Sequence, residues 1–263
     1  MMIEDLMKEK ENVSLRHGVR YPADGGEEDC EDLLLHEHFL SIEVNGYPAA
    51  ELCCTADHIK ELVLGRLYTG GVIERLTDVL RIFICAKGEI AEVTLREGSA
   101  LYRYGGREPS CCMGNRQFLA GDSDRKYKKL QHKKADRDAV FELAEYFRKD
   151  SVLHRKTSGT HSAYLRSPEG AISGFEDLSR HNALDKAVGH MLLEGYDPAG
   201  CMLYTTGRVP ADMVEKVIMS RVPILLSKSV PTDAALKLAE EYGLTLLCKT
   251  WPDSYLIYAE SED

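Results

Sequence analysis

The stretch Phe175–Met191, "FEDLSRHNALDKAVGHM", closes a strand-like run and opens a helix-like one. With Asn182 as N-cap, Asp185 falls at the third helical position, an arrangement like a capping box. Leu184, Val188, Met191 and Leu192 then form the inward face of the helix. Capping uses two of the polar residues; Glu176, Asp177, Arg180 and His181 are left over in the turn. In open α/β sheets, ligands sit beyond the carboxyl ends of strands, where helix amino termini present free N–H groups. The stretch is therefore read as one wall of an anion pocket in such a sheet.

The flanking sequence supports a sheet of that kind. A helix over "DRDAVFELAEYFRKD" leads into a hairpin-like pair, "HSAYLRSPEGAISGFED". Beyond Glu194 come a strand "GCMLYTT", a helix from Pro210 to Ser220, a strand "VPILLS", a helix from Thr232 to Tyr242, and strands "LTLLCK" and "SYLIYA". Alternating short apolar runs and helices imply crossovers and a parallel or mixed sheet, so the fold class is α/β with a mixed α+β character.

Upstream, "HFLSIEVNGYPAAELCC" alternates around Asn45-Gly46, a hairpin signal because both turn positions favour positive φ. "TADHIKELVLGRLYTGG" reads as a helix with Thr55 as N-cap, and "LRIFICAKGEIAEVTLR" as a second hairpin turning at Lys87-Gly88. From Glu97 to about Lys134 the pattern dissolves into Gly, Ser and basic residues. Residues 1–31, polar and rich in acids and Gly, read as a poorly ordered tail. The chain thus divides into that tail, a smaller α+β region over 32–134 and an α/β domain over 135–263.

Three further junctions are polar in the same way. "LYTTGRVPADM" offers Thr206, Gly207 for close backbone approach, and Arg208, whose fork fits phosphate oxygens. "LLSKSVPTDAA" offers Ser227, Lys228 and Ser229 before a helix, and "KTSGTHSA" adds Thr160 and His161. Together they favour an anionic, nucleotide-like ligand.

The formal net charge of −10 argues against general nucleic-acid binding, although "DRKYKKLQHKK" (124–134) is locally basic. No apolar run approaches the roughly 20 residues that cross a bilayer, and no secretory signal opens the chain, so the expected location is the cytoplasm. Of eight cysteines, Cys85, Cys201 and Cys248 sit in apolar runs and read as core. Cys111 and Cys112, in "GREPSCCMGN", lie among loop-forming residues with Arg107 and Arg116 in sequence reach. Nearby cations lower a thiol's pKa, which makes these two the candidate nucleophiles.

"TSGTHSA", "FEDLSRHNALDKAVG", "TTGRVPADMVEK" and "VPILLSKSVPTDAALKLAEEYGLTLL" resemble the motifs of the FdhD family, the formate dehydrogenase accessory sulfurtransferases. "IEVNGYPAAELCCTADHIKELVLGRLYTGGVI" is similar to that family's amino-terminal segment, and the likeness runs from about residue 38 to 258. The resemblance implies a cytidine deaminase-like three-layer fold and a homodimer. It implies a loop cysteine that takes sulfur as a persulfide from a cysteine desulfurase. That sulfur would pass to the molybdenum (or tungsten) bis-molybdopterin guanine dinucleotide cofactor, bound as substrate, before its insertion into formate dehydrogenase. The guanine dinucleotide pocket would include Thr160, His161, Asp177, Arg180, His181, Asn182, Thr206, Gly207, Arg208, Ser227, Lys228 and Ser229, with no protein-ligated metal.

The chain departs from the family pattern in three places. The family's C-G-x-C-G loop reads Cys111-Cys112-Met113-Gly114-Asn115, so Cys111 matches the first cysteine and Gly114 replaces the second. Cys112 is a poor disulfide partner for Cys111, because a disulfide wants Cα atoms about 5.5 Å apart across a favourable torsion. The family's basic Gly-rich turn before the last strand reads Lys249-Thr250-Trp251-Pro252-Asp253-Ser254, leaving Lys249 as a cation and Trp251 as a stacking surface. Leu178 and Ser179 replace Val and Gly in the central motif. The alternatives are a non-catalytic cofactor-binding chaperone and a zinc hydrolase; the latter lacks the H-x-E and P-C-x-x-C spacing that zinc deaminases require.

Overall fold

The computed structural model describes residues 1–8, 10–97, 102–107, 115–120 and 127–260. The amino-terminal stretch read as a tail instead forms strands β1 (Met2–Asp5), β2 (Val13–Arg20) and β3 (Glu28–Leu35). Two kinds of pairing explain the difference. β2 and β3 pair antiparallel with Arg16 opposite Asp32 and Arg20 opposite Glu28, so acids that look repulsive in sequence face cations. Nearby, Asn12 hooks this ribbon to the body, accepting from Ala56 N at 2.8 Å and donating to Asp57 Oδ2 at 2.5 Å.

β4 (His38–Val44) and β5 (Tyr47–Cys54) form the expected hairpin, with φ of 51° at Asn45 and 78° at Gly46. Helix α1 (Ile59–Thr69) follows, then β6 (Val79–Ile84) and β7 (Ile90–Leu95), then β8 (Tyr102–Arg107) and β9 (Arg116–Ala120). The first sheet runs β1-β6-β7-β4-β5-β9-β8, with β1 parallel to β6. Its strands alternate: Leu40, Ile42 and Val44 turn inward, as do Ala91, Val93 and Leu95.

The second half builds α2 (Arg137–Asp150), the short α3 (Val152–Thr157), β10 (His161–Arg166), β11 (Ile172–Asp177), α4 (Arg180–Glu194), β12 (Met202–Thr205), α5 (Ala211–Ser220), β13 (Ile224–Ser227), α6 (Asp233–Tyr242), β14 (Thr245–Cys248) and β15 (Leu256–Ala259). The sheet order is β11-β10-β12-β13-β14-β15, parallel through β12, β13 and β14 and antiparallel at both margins. One face of this sheet (Ala163, Leu165, Leu203, Leu225, Leu246, Cys248) joins a core shared with α1, α4, α5, α6 and the first sheet. The other face (Tyr164, Met202, Tyr204, Ile224, Leu226, Leu247) packs on α2 through Val140, Leu143, Ala144 and Phe147. The larger core therefore unites residues from both sides of the boundary expected at 134/135. Cys201 and Cys248 are buried as expected, whereas Cys85 is only half-buried at the β6–β7 turn.

α1 and α4 are the central helices, buried on nearly every side although both carry charged residues. They cross backbone to backbone. A Cβ added at Gly65 would stand 1.8 Å from Asp185 O, and one at Gly189 would stand 1.8 Å from Glu61 O. Polar groups inside this layer are paired. Asp185 Oδ1 accepts from Thr69 Oγ1 at 2.7 Å, its Oδ2 accepts from Lys216 Nζ at 2.8 Å, and Arg66 Nη1 lies 3.6 Å away. Asp185 therefore ties three helices together and does not complete a capping box.

Candidate site at the strand tips

Because β11, β12, β13 and β14 all point the same way, their carboxyl ends share one margin of the second sheet. β10 runs opposite and begins there with His161. The polar junctions read from sequence thus converge. Backbone bonds stitch them: Thr206 N donates to Ser162 O at 3.0 Å, Lys228 N to Thr205 O at 3.1 Å, Lys249 N to Ser229 O at 2.9 Å and Thr250 N to Ser227 O at 3.0 Å. Ser227 Oγ donates to Gly207 O at 2.8 Å and accepts from Ser229 N, so this hydroxyl shapes the turn.

α4 begins at this margin with Ser179 as its N-cap, the Oγ accepting from His181 N at 3.3 Å. Asn182, expected to be the cap, lies inside the helix. Its amide is needed elsewhere: Nδ2 donates to Cys53 O at 2.8 Å and to Asp177 Oδ1 at 2.9 Å. Asp177 is fully buried. Its Oδ1 also accepts from Ser179 N, and its Oδ2 accepts from Thr55 N at 3.1 Å and Lys186 Nζ at 2.9 Å. Thr55 is thereby spent on Asp177, and His58, at φ 50°, stands at the start of α1 in its place.

Lys186 is the side chain that sequence reading missed. Wholly buried, its ammonium reaches Asp177, Asp57 Oδ1 at 2.6 Å, Thr55 Oγ1 at 2.7 Å and Glu176 O at 3.2 Å. Burial disfavours its charged form, but Asp177 and Asp57 overcome that cost and hold its pKa above the ordinary lysine value. The clue was an acid–base pair, Asp185-Lys186, placed between inward-facing Leu184 and Val188. Glu176, meanwhile, accepts from Leu153 N, His154 N and Thr160 Oγ1, fastening α3 and the Thr160 turn to β11.

The opening of the site is cationic. His161 is pushed down to about 4, first by burial and then by the charges of Arg180, His154, His181 and Lys228. Arg180 is buried, its stem against Gly207, where a Cβ would stand 2.8 Å from Arg180 Cδ. His181 Nε2 lies 3.3 Å from Asp212 Oδ2 at the start of α5. Lys228 Nζ sits 5.4 Å from the Phe147 ring centroid and 5.6 Å from that of Trp251. Arg208 and Lys249 are exposed at the rim, and Trp251 is 42 % exposed.

The predicted residues therefore separate into two groups. Asp177 and Asn182 are consumed by internal bonds, and Ser227 by its own turn. His161, Arg180, Lys228, Arg208, Lys249 and Trp251 form the charged and aromatic surround. Cys111 and Cys112 lie outside the described residues. Asn115, just beyond them, is buried, its Oδ1 accepting from Cys53 N at 3.0 Å and its Nδ2 donating to Asn182 Oδ1 at 2.8 Å.

The FdhD/NarQ family model matches residues 35–263. The chain belongs to the FdhD/NarQ family. FdhD relatives described as sulfur carrier protein FdhD include one from Shouchella clausii, 33% identical over 82% of this chain and 83% of that protein. Another, from Sulfurisphaera tokodaii, is 34% identical over 79% and 81% of the two chains. A crystal structure described as that of a formate dehydrogenase accessory protein from Desulfotalea psychrophila superposes with a TM-score of 0.77. At 21% identity, over 95% of this chain and 98% of that one, it shows a shared fold. Among the described residues, no helix is long and apolar enough to cross a membrane.

Proposed function

We propose that this FdhD-family chain is a sulfur carrier for formate dehydrogenase, working in the cytoplasm with Cys111 as its persulfide-bearing residue. The observation that carries this reading is the pairing of Asn115 with Asn182. It roots the segment that follows Cys111 and Cys112 on the same structure that supports the cationic strand tips. Four Cα–Cα steps link positions 111 and 115, so covalent geometry keeps Cys111 within about 14 Å of that root.

The thiolate of Cys111 attacks the terminal sulfur of a persulfide on a cysteine desulfurase. A new S–S bond forms, the donor's S–S bond breaks, and the donor leaves as a thiolate. The acceptor is the molybdenum bis-molybdopterin guanine dinucleotide cofactor, bound as substrate. Its phosphates suit the field of Arg180, Arg208 and Lys228, and its guanine suits the exposed face of Trp251. Mass spectrometry after incubation with desulfurase and cysteine tests the carrier step. One added sulfur on wild type and none on Cys111→Ala is the expected result; an unlabelled wild type, or label retained in the variant on another residue, rejects it. Chaperoning without sulfur transfer would instead leave formate dehydrogenase maturation intact in Cys111→Ala.

A further inference from the structure

The basic run over 124–134 is not drawn to the strand tips. From Tyr127 onward it is laid along the opposite margin of the second sheet, where β12, β13 and β14 begin. Three bonds fasten it there: Leu130 N donates to Tyr242 O at 2.8 Å, Thr245 Oγ1 to Lys133 O at 2.9 Å and Lys133 Nζ to Ala199 O at 2.9 Å. The fastened segment builds one wall of a cavity of about 460 Å³. The other walls come from the ends of three helices: Tyr68 on α1, Leu192 and Tyr196 at the close of α4, and Arg221 just past α5. Leu76, Leu130, Leu192 and Tyr196 pack on the core yet are only half-buried, so their open sides face the hollow. A smaller hollow of about 80 Å³ shares Tyr68, Lys128 and Arg221. The larger volume falls within the roughly 300–1,000 Å³ of small-molecule sites.

The mouth of this cavity is cationic. Lys128, Lys129, Arg75 and Arg221 line it against Glu74 and Asp197. Arg75 is bound to Asp78 at 3.1 Å, and Asp197 caps the turn Pro198–Gly200 by accepting from Ala199 N at 3.1 Å. Among the described residues, Lys128, Lys129 and Arg221 make no ion pair and no side-chain hydrogen bond. Three cations therefore remain against Glu74. Arg221 stands directly after α5 with φ 62°, a left-handed backbone that favours glycine. Its charge is felt inside the cavity: burial raises the Tyr68 phenol, and Arg221 acts against that rise. A guanidinium over aromatic and aliphatic walls suits a ligand with one anionic head and an apolar body. The apolar walls and the Glu74 carboxylate disfavour a polyphosphate.

We infer that this cavity is a second ligand site, taking a small organic acid whose carboxylate meets Arg221 and whose apolar body lies against Tyr68, Leu192 and Tyr196. It lies at the amino ends of the parallel strands, the margin opposite Arg208 and Lys228, so both sites can be filled at once. The inference stands apart from the sulfur-carrier reading.

The probe is 8-anilinonaphthalene-1-sulfonate, whose sulfonate stands in for the carboxylate, titrated by fluorescence into the full-length chain. One probe per chain should bind, with an affinity that excess pyrophosphate leaves unchanged. Arg221→Gly should bind it at least tenfold more weakly while melting no lower than wild type, because glycine suits the left-handed backbone. The same variant should bind N-phenyl-1-naphthylamine, which has the same rings and no charge, within twofold of wild type. Arg221→Gln, which keeps a long side chain and removes the charge, should show the same selective loss. A wild type that binds no probe, or whose probe pyrophosphate displaces, overturns the inference. Equal probe affinity in wild type and both variants overturns it as well. So does an equal loss for the charged and the neutral naphthylamine, since the walls and not the cation would then have changed.

Discussion

Asn115 and Asn182, far apart in sequence, share a hydrogen bond of 2.8 Å beneath the strand tips. Each amide is used on both sides: Asn115 also accepts from Cys53 N, and Asn182 also donates to Cys53 O and Asp177. Asn182→Leu would leave Cys53 O and Asn115 Nδ2 buried without this partner. Each such loss costs about 1–3 kcal/mol. Urea unfolding should show a clear drop in midpoint with an unchanged slope; a variant as stable as wild type would contradict the assignment.

Lys186→Met should be more damaging, since it leaves Asp57 and Asp177 facing each other without a cation. Breaking a buried pair in this way costs about 3–5 kcal/mol. The pH dependence has two limbs. Lys186 has a raised pKa, so its contribution is complete below the unfolded lysine value and fades only as pH climbs through the higher folded one. Asp57 is shifted below the usual carboxylate range by Lys186, against the opposing effect of burial. Its contribution is present above the unfolded value and is lost as pH falls through the lower folded one. Acid titration of stability should therefore be shallower in Asp57→Asn than in wild type.

His161 offers a test for an anion at the strand tips. Depressed to about 4, it stays neutral when folded across the window up to its ordinary value near 6.5. In that window the unfolded chain binds the extra proton, so this histidine makes stability rise with pH. A pyrophosphate or guanosine diphosphate seated among Arg180, Arg208 and Lys228 would offset the cations and raise the His161 pKa. Proton NMR of the imidazole with and without ligand measures this; an unmoved titration curve would argue against an anion at the strand tips.

At the α1–α4 crossing, Gly65→Ala or Gly189→Ala should disrupt packing by about 3 kcal/mol or more, because the new methyl meets backbone that cannot move aside. Gly195→Ala makes a useful control. It has φ 69° but open space around it, so only backbone strain, about 1 kcal/mol, is expected. Thermal unfolding of the three variants should separate the two mechanisms.

Much of the fold was legible locally. Asn45-Gly46, the helix from Thr232 and the alternation from His161 to Ala259 carry signals within a few residues. The site was legible as a set of junctions, because crossover topology sends the ends of β12, β13 and β14 to one margin. What escaped was decided at long range. Ser179 outcompetes Asn182 as the cap because Asn182 is claimed by Cys53, 129 positions away. Thr55 leaves its expected helix for Asp177, 122 positions away. The ribbon was hidden because its acids look like a solvated tail until Arg16 and Arg20 are laid across from them. Lys186 escaped because no local pattern names two carboxylates as its partners.

The meeting of Gly65 with Asp185, and of Gly189 with Glu61, has a kinetic corollary. Two helices whose main chains touch have no lubricating layer of side chains, so neither can rotate or slide without lifting off the other. A protein jointed in that way cannot hand over cargo by opening and closing its two sheets like a clam. Whatever travels during its working cycle must be borne by peripheral segments, while the central crossing stays still as a fulcrum.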